Sequence, residues 1–228
     1  MILVACGLQR EANILRGLGV IAIPGGGDAA RLEAVLDGQA AGAAMIVSAG
    51  IAGALDPALK AGDVVIDLPE YSREDGNPES QAMAPVALDP RVRGGTEEMI
   101  RAALPQALYG QIIGQDHIAA TAAEKAALYA ATGALAVDME SHIAARVAAR
   151  HGLPFIAIRT ISDTADESLP PAALVGMNPD GSMALGKVLA SLARQPGQLP
   201  ALIRTGQSAE AAFRALKKVA AAIATLRG

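Results

Sequence analysis

Three acids stand just past short apolar runs: Glu11 after Ile2–Cys6, Glu140 after Leu135–Asp138, and Asp163 after Phe155–Ile161. A strand that ends in an acid delivers it to the carboxyl edge of a sheet, where open α/β sheets bind ligands. Separated carboxylates at one edge suit cleavage of an N-glycosidic bond, which passes through an oxocarbenium-like sugar. One acid protonates the leaving base, one accepts hydrogen bonds from the sugar hydroxyls, and one activates a water. Each acid also has a purely structural reading. Asp163 with Ser162 can cap a turn, and Glu140 and Glu11 can favour a helix N-terminus. Asp138, at the end of its own run, reads as structural.

Other reactive groups are few. His117 follows an apolar run beside Asp116, as either a surface histidine or a site residue. His142 and His151 are nine residues apart and make no metal-ligand pair, and no Cys/His/acid constellation suggests zinc, so no metal is expected. The single cysteine, Cys6, lies inside the first apolar run and reads as a small buried hydrophobe, not a nucleophile. Gly25-Gly26-Gly27 between a strand and a helix offers backbone amides to an anion. Asp28 reads as an N-cap that would occupy the same amides, so both readings stand.

The elements that must position these groups alternate at short spacing. Strands are expected at Ile2–Cys6, Val20–Ile23, Met45–Val47, Asp63–Leu68, Leu108–Ile113, Leu135–Asp138 and Phe155–Ile161. Helices are expected at Glu11–Gly17, Ala29–Leu36, Glu97–Ala103, Glu124–Ala131 and Ser141–His151. Residues 69–95, rich in Pro, Gly and charge, read as a long loop with room for one strand. Pro170-Pro171 ends the alternation, and the remainder reads as helices Ser182–Arg194, Leu199–Arg204 and Ala209–Leu226. Phe213, Leu216, Val219, Ala220 and Ile223 share one face of the last. That face can pack on the sheet or a second subunit, or rest on a membrane surface or a greasy substrate. The pattern predicts an α/β/α sandwich of three layers around a mixed sheet, with a helical C-terminal extension, as one domain over 1–228.

The totals narrow the class of function. An apolar fraction of 52% over 228 residues supports a sizeable core, yet aromatics are only 2%, so the chain has few platforms for stacking single-stranded bases. A formal charge of −4 leaves no basic footprint, and no nucleic-acid partner is expected. No apolar stretch reaches the roughly 20 residues of a membrane span, and no basic leader precedes the first run. One cysteine without a disulfide partner fits a reduced, cytoplasmic setting.

Four segments resemble the purine/uridine phosphorylase superfamily, which includes nucleoside phosphorylases and methylthioadenosine nucleosidases. Val137-Asp138-Met139-Glu140-Ser141 is similar to its Glu-Met-Glu segment. Arg159-Thr160-Ile161-Ser162-Asp163-Thr164-Ala165-Asp166 is similar to its Arg-x-Ile-Ser-Asp-x-Ala-Asp segment. Ser48 through Leu55, and Lys60-Ala61-Gly62-Asp63-Val64-Val65, resemble its Gly-Ser-Ala-Gly-Gly-Leu and Lys-x-Gly-Asp-Val stretches. The resemblance implies that Glu140 binds the ribose hydroxyls, that Met139 lies against the ribose, and that Asp163 protonates purine N7. It implies that Glu11 activates water if one residue is dropped from its loop. Gly50, Ser162, His117 and Ile118, the last near the position of a stacking Phe, join the substrate-binding set. Gly25, Gly26 and Gly27 are the expected phosphate cradle. Inorganic phosphate is the expected co-substrate, with no other cofactor, and a homo-oligomer is the expected assembly.

The chain departs from that pattern at Ile51, which replaces a Ser, at Ile118, and in lacking placeable phosphate-binding arginines. Gly25–Asp28, Ala136–His142, Leu169–Leu174 and Pro196–Pro200 together resemble the hopanoid-associated phosphorylases. That similarity implies phosphorolytic release of adenine from adenosylhopane, a nucleoside joined to a triterpenoid. Two rivals remain: a hydrolytic nucleosidase that uses Glu11, and a non-catalytic nucleoside-binding protein.

Overall fold

The computed structural model describes residues 1–68, 90–178 and 180–226. Its strands are β1 (Ile2–Cys6), β2 (Val20–Pro24), β3 (Met45–Ala54), β4 (Val64–Asp67), β5 (Leu108–Tyr109), β6 (Ile112–Gly114), β7 (Ala136–Asp138) and β8 (Phe155–Asp163). They form one sheet in the order β2-β1-β3-β8-β4-β5, with β7 paired to the far end of β3 and to β6. The β1, β2, β3 and β8 strands are mutually parallel, while β4 runs antiparallel to β8, so the sheet is mixed.

Alternation along the strands splits the core between two faces. Ile2, Val4 and Cys6 of β1 join Met45, Val47 and Ala49 of β3 on one face; Leu3, Ala5 and Ile46 lie on the other. The second face is covered by helices Ala29–Ala40 and Ser141–Arg150, through Leu32, Leu36, Ile143 and Val147. The first is covered by the short helix Gln9–Leu15, by Ile100 and Leu104, and by one long helix, Leu199–Thr225. Local signals set the helix ends. Asp28 caps Ala29–Ala40 by accepting from the Arg31 amide, Thr121 caps Ala122–Thr132, and Gly133 closes that helix at φ +67°.

Several expected elements change. The strand expected to stop at Val47 runs to Ala54, through Ser48, Gly50 and Gly53, and shifts register between Ala52 and Gly53. Leu108–Ile113 splits into β5 and β6, because β5 pairs β4 while β6 pairs β7. A side chain at Gly110, where the chain changes partner, would lie 2.6 Å from Leu135 Cδ1. Helix Pro90–Ala103 begins inside the segment read as a loop; the rest of that segment lies outside the described residues. The expected C-terminal extension is no appendage. Two of its expected helices are a single one, and Phe213, Leu216, Val219, Ala222 and Ile223 bury it on the sheet as a full layer. Helix Leu185–Arg194, by contrast, has no buried residue.

The continuous helix predicts the sign of one substitution. Gly206 is exposed within Leu199–Thr225, and an added Cβ meets nothing within 4 Å. Gly206→Ala should raise stability by about 0.5–1 kcal/mol in denaturant unfolding. No gain, or a loss, would mean the helix breaks there.

Candidate active site

The site is built around a cation inside the sheet. Arg159, in the middle of β8, is wholly buried. Its Nη2 donates to Ser48 Oγ at 2.5 Å and to Ser141 Oγ at 3.2 Å. Nε lies 2.8 Å from Asp138 Oδ2, an ion pair bent away from hydrogen-bond alignment, and Nη1 lies 3.5 Å from Glu140 Oε2. Burial disfavours the charge of Arg159, but Asp138, Glu140 and Glu11 outweigh it, and its pKa is raised.

Asp138 is the structural acid its position suggested. Its Oδ1 accepts from the amides of Glu140, at 2.8 Å, and Ser141, at 2.7 Å, which fixes the turn after β7 and caps helix Ser141–Arg150. Its Oδ2 accepts from Ser141 Oγ. The following residue but one, Glu140, is thereby held buried beside Arg159. Burial pushes the Glu140 carboxyl up; Arg159 opposes, Asp138 and Glu11 add to the rise, and the result is about 8.

Glu11 arrives from the opposite direction. Its Oε2 accepts the amides of Gly7 and Leu8, both at 2.7 Å, and its Oε1 accepts that of Ile51, also at 2.7 Å. Burial pushes its carboxyl above the ordinary range, while those amides and Arg159 pull it back. Two glycines make room for this convergence. A Cβ at Gly50 would lie 2.7 Å from both Arg159 Nη1 and Glu11 Oε1, and a Cβ at Gly7 would lie 2.9 Å from Glu140 Oε1. Gly50 is thus a packing requirement of the acid cluster, a role distinct from the expected substrate contact.

Asp163 closes β8. Its Oδ1 receives the Ser162 hydroxyl at 2.7 Å, and its Oδ2 receives the ammonium of Lys125, a residue with no exposed surface. The sheet register brings this group to the same edge as Glu140. Gly53 of β3 is flanked by Val137 of β7 on one side and Asp163 of β8 on the other. Two strand spacings separate those backbones by about 10 Å. A cleft at Glu140 is lined by Gly25, Gly27, Asp116, Met139, Glu140 and Ile143; Asp163, Ser162 and Glu11 do not line it.

Other expected site residues fall differently. The amide of Gly25 donates to Cys6 O at 2.7 Å and that of Gly26 to Gly7 O at 2.9 Å, because the turn is bonded to the end of β1. The expected three-amide cradle is therefore reduced to Gly27 at most. His117 is 70% exposed, with Nε2 3.3 Å from Glu124 Oε1, and it does not line the cleft. Ile118 is 37% exposed and does not line it either. Cys6 is fully buried, and burial raises its thiol well above the ordinary value, as expected of an inert side chain.

Arg159, Ser48 and Lys125 belong to the site in addition to the residues expected there. For Arg159 a signal existed: a cation within an apolar strand of a covered sheet must find buried acids. Ser48 carried a weaker one, as a hydroxyl in the same layer. Lys125 carried none, since Glu124-Lys125 opens an alanine-rich helix like any solvated pair.

Comparison with known proteins agrees with this architecture. Residues 24–194 match the family model described as the phosphorylase superfamily. Among solved structures, the chain resembles the 5'-methylthioadenosine/S-adenosylhomocysteine nucleosidase of Neisseria meningitidis in complex with methylthio-immucillin-A, with TM-score 0.62, 19% identity and 98% of each chain covered. It also resembles the S-adenosylhomocysteine nucleosidase of Streptococcus pyogenes in complex with 5-methylthiotubericidin, with TM-score 0.56, 19% identity, and 95% of this chain and 94% of that one covered. Futalosine hydrolase of Helicobacter pylori matches with TM-score 0.51 and 17% identity over 71% of this chain and 87% of that one. At these identities the likeness is one of fold.

The carboxylate cluster predicts how stability varies with pH. Glu140 rises from an ordinary 4.5 to about 8 in the folded chain. A raised carboxyl contributes stability that is fully present below the unfolded value and lost as pH climbs through the folded one. Thermal stability of the ligand-free protein should therefore fall between pH of about 4.5 and about 8. Glu140→Gln should flatten that decline in a melting series; an unchanged slope would remove Glu140 as its source.

Proposed function

The chain belongs to the phosphorylase superfamily, and on that premise we propose that it cleaves the N-glycosidic bond of a purine nucleoside. The observation that carries this reading is the register at Gly53, which sets the Glu140 turn and Asp163 on either side of one strand end. Glu140 holds the ribose 2′ and 3′ hydroxyls, with Met139 against the sugar. Asp163, steadied by Ser162, passes a proton to N7 as the bond from C1′ to the base breaks and its electron pair leaves with the base.

For the acceptor we propose inorganic phosphate, and for the substrate adenosylhopane, with adenine as the leaving base. The motifs shared with hopanoid-associated phosphorylases support both, as does the apolar side of the cleft, where Leu32, Met139 and Ile143 face a 5′ substituent. The Gly27 amide is the donor left for phosphate at the glycine turn. Residues 1–228 act as one nucleoside phosphorylase-like unit. A cytoplasmic homo-oligomer fits the exposed Leu185 and Leu189 of a helix without buried residues, and no described helix is long and apolar enough to cross a membrane.

One observation favours a second reading, hydrolysis. Glu11 is fixed by three amides beside Glu140 and Arg159, as a base for water should be, and the cleft lining offers Asp28, Asp116 and Glu140 but no lysine or arginine. The similar solved structures include nucleosidases and a hydrolase.

Adenine release from purified protein tests both. Asp163→Asn should lower the rate by about 100-fold or more; a rate near wild type rejects Asp163 as the acid. Omitting phosphate should abolish release and the ribosyl phosphate product. Undiminished release with a free ribosyl product selects the Glu11 reading, and no turnover of any purine nucleoside would leave only a binding protein.

A further inference from the structure

An ion pair this deep must be explained by more than its charge. Lys125 is fully buried, and its ammonium has three acceptors: Asp163 Oδ2, the Thr164 carbonyl at 2.8 Å and the Glu167 carbonyl at 2.9 Å. All three of its N–H bonds are thus directed at one short stretch of chain, the end of β8 and the loop after it. Removing such a cation from water is costly, and a hydrophobic residue of similar volume would often serve stability as well. The chain instead places it against the carboxylate read above as the general acid.

The two oxygens of Asp163 are in consequence not equivalent. Oδ2 is held by Lys125, and Oδ1 by Ser162, whose hydroxyl also lies 3.1 Å from the Ala52 carbonyl. The carboxylate cannot rotate without breaking one of these contacts. Gly53 fixes it from the third side: a Cβ there would lie 3.1 Å from Oδ2 and 3.6 Å from Lys125 Cε. The other charged groups nearby belong to the same loop and helix. Glu167 accepts the Thr164 amide, Asp166 accepts the Thr164 hydroxyl and is exposed, and Glu124 turns to the Ala120 amide and His117. β3 contributes no charged residue.

We propose that Lys125 is a positioning residue for the acid step: it fixes Oδ2 of Asp163, leaves Oδ1 as the oxygen that carries the proton, and receives the carboxylate formed when that proton goes to the base. The inference rests on the reading of Asp163 as the general acid. In the step, the O–H bond of Asp163 breaks, an N–H bond forms on the departing base, and the negative charge left on Asp163 faces an ammonium already in contact. A cation beside an acid stabilises its ionised form over its neutral one. Lys125 therefore favours the transfer itself.

Three variants separate this role from a structural one. Lys125→Met removes the charge and the hydrogen bonds. Lys125→Gln removes the charge but keeps two N–H donors for the loop carbonyls, and carries the comparison where Lys125→Met does not fold. Asp163→Asn tests the acid itself. The expected result in both lysine variants is a fall in kcat of about 10-fold or more with KM changed by less than about threefold. A folded Lys125→Gln protein with the wild-type kcat, or one whose change lies in KM alone, overturns the inference while leaving the function intact, provided Asp163→Asn is inactive. An Asp163→Asn protein that turns over at the wild-type rate overturns the acid assignment and this inference with it.

Discussion

A guanidinium inside a sheet has to be neutralised on the spot, and the structure around Arg159 is arranged to do so. Asp138 reaches it from the end of β7, Glu140 from the turn that follows, and Glu11 from the helix after β1. Arg159 is the cation that lowers the carboxyls of Glu11 and Glu140, and all three acids are buried. Their shared dependence on Arg159 ties the first, third, seventh and eighth strands to one point. Substituting Arg159 alone would leave buried carboxylates unpaired, a loss that reaches well beyond a single contact.

The outer layer serves the same point from a distance. Arg10, next to Glu11, stacks its guanidinium over the Phe213 ring at 4.0 Å and pairs with Glu210, Nη2 to Oε2 at 2.8 Å. Phe213 and Glu210 belong to the long C-terminal helix, so that layer holds the helix from which Glu11 projects. The Glu11 amide contacts and the tail packing are therefore one mechanical unit. The Gly25–Gly27 turn is fastened to the same place, since its first two amides bond the end of β1.

What the sequence could disclose follows from the range of each interaction. Short apolar runs and local caps are legible because strand alternation and N-cap chemistry act within a few residues, as at Asp28 and Thr121. The strand expected at Met45–Val47 falls short of β3 because Ser48, Gly50 and Gly53 carry no strand signal of their own. They are small for a tertiary reason: Arg159, Glu11 and Asp163 press against those positions. The two helices expected at the C-terminus are one, since a helix bound along one face tolerates Gly206 on its exposed side. The motif acids Glu140 and Asp163 were visible, yet Lys125, 38 residues from its partner, was not. A helical lysine carries no mark of where its ammonium will lie.

The balance of charge in the cluster bears on how it would act. Asp138, Glu140 and Glu11 share one cation; burial raises the carboxyls of Glu11 and Glu140, and at Glu140 the neighbouring acids add to the rise. Burying this set of acids is a cost, offset by backbone amides and by the packing of two layers. Under the proposed reaction the sugar gains positive character as the base departs. That developing charge is the counter-ion the cluster lacks, and it exists only near the transition state. An acid cluster left short of cations thus binds the oxocarbenium-like sugar better than the neutral nucleoside, which is the differential binding that accelerates a reaction. The same argument explains why the cation at Asp163 is kept apart. On the proposed reading Lys125 meets the carboxylate left when Asp163 gives its proton to the base, while Arg159 stays with the acid cluster at Glu140.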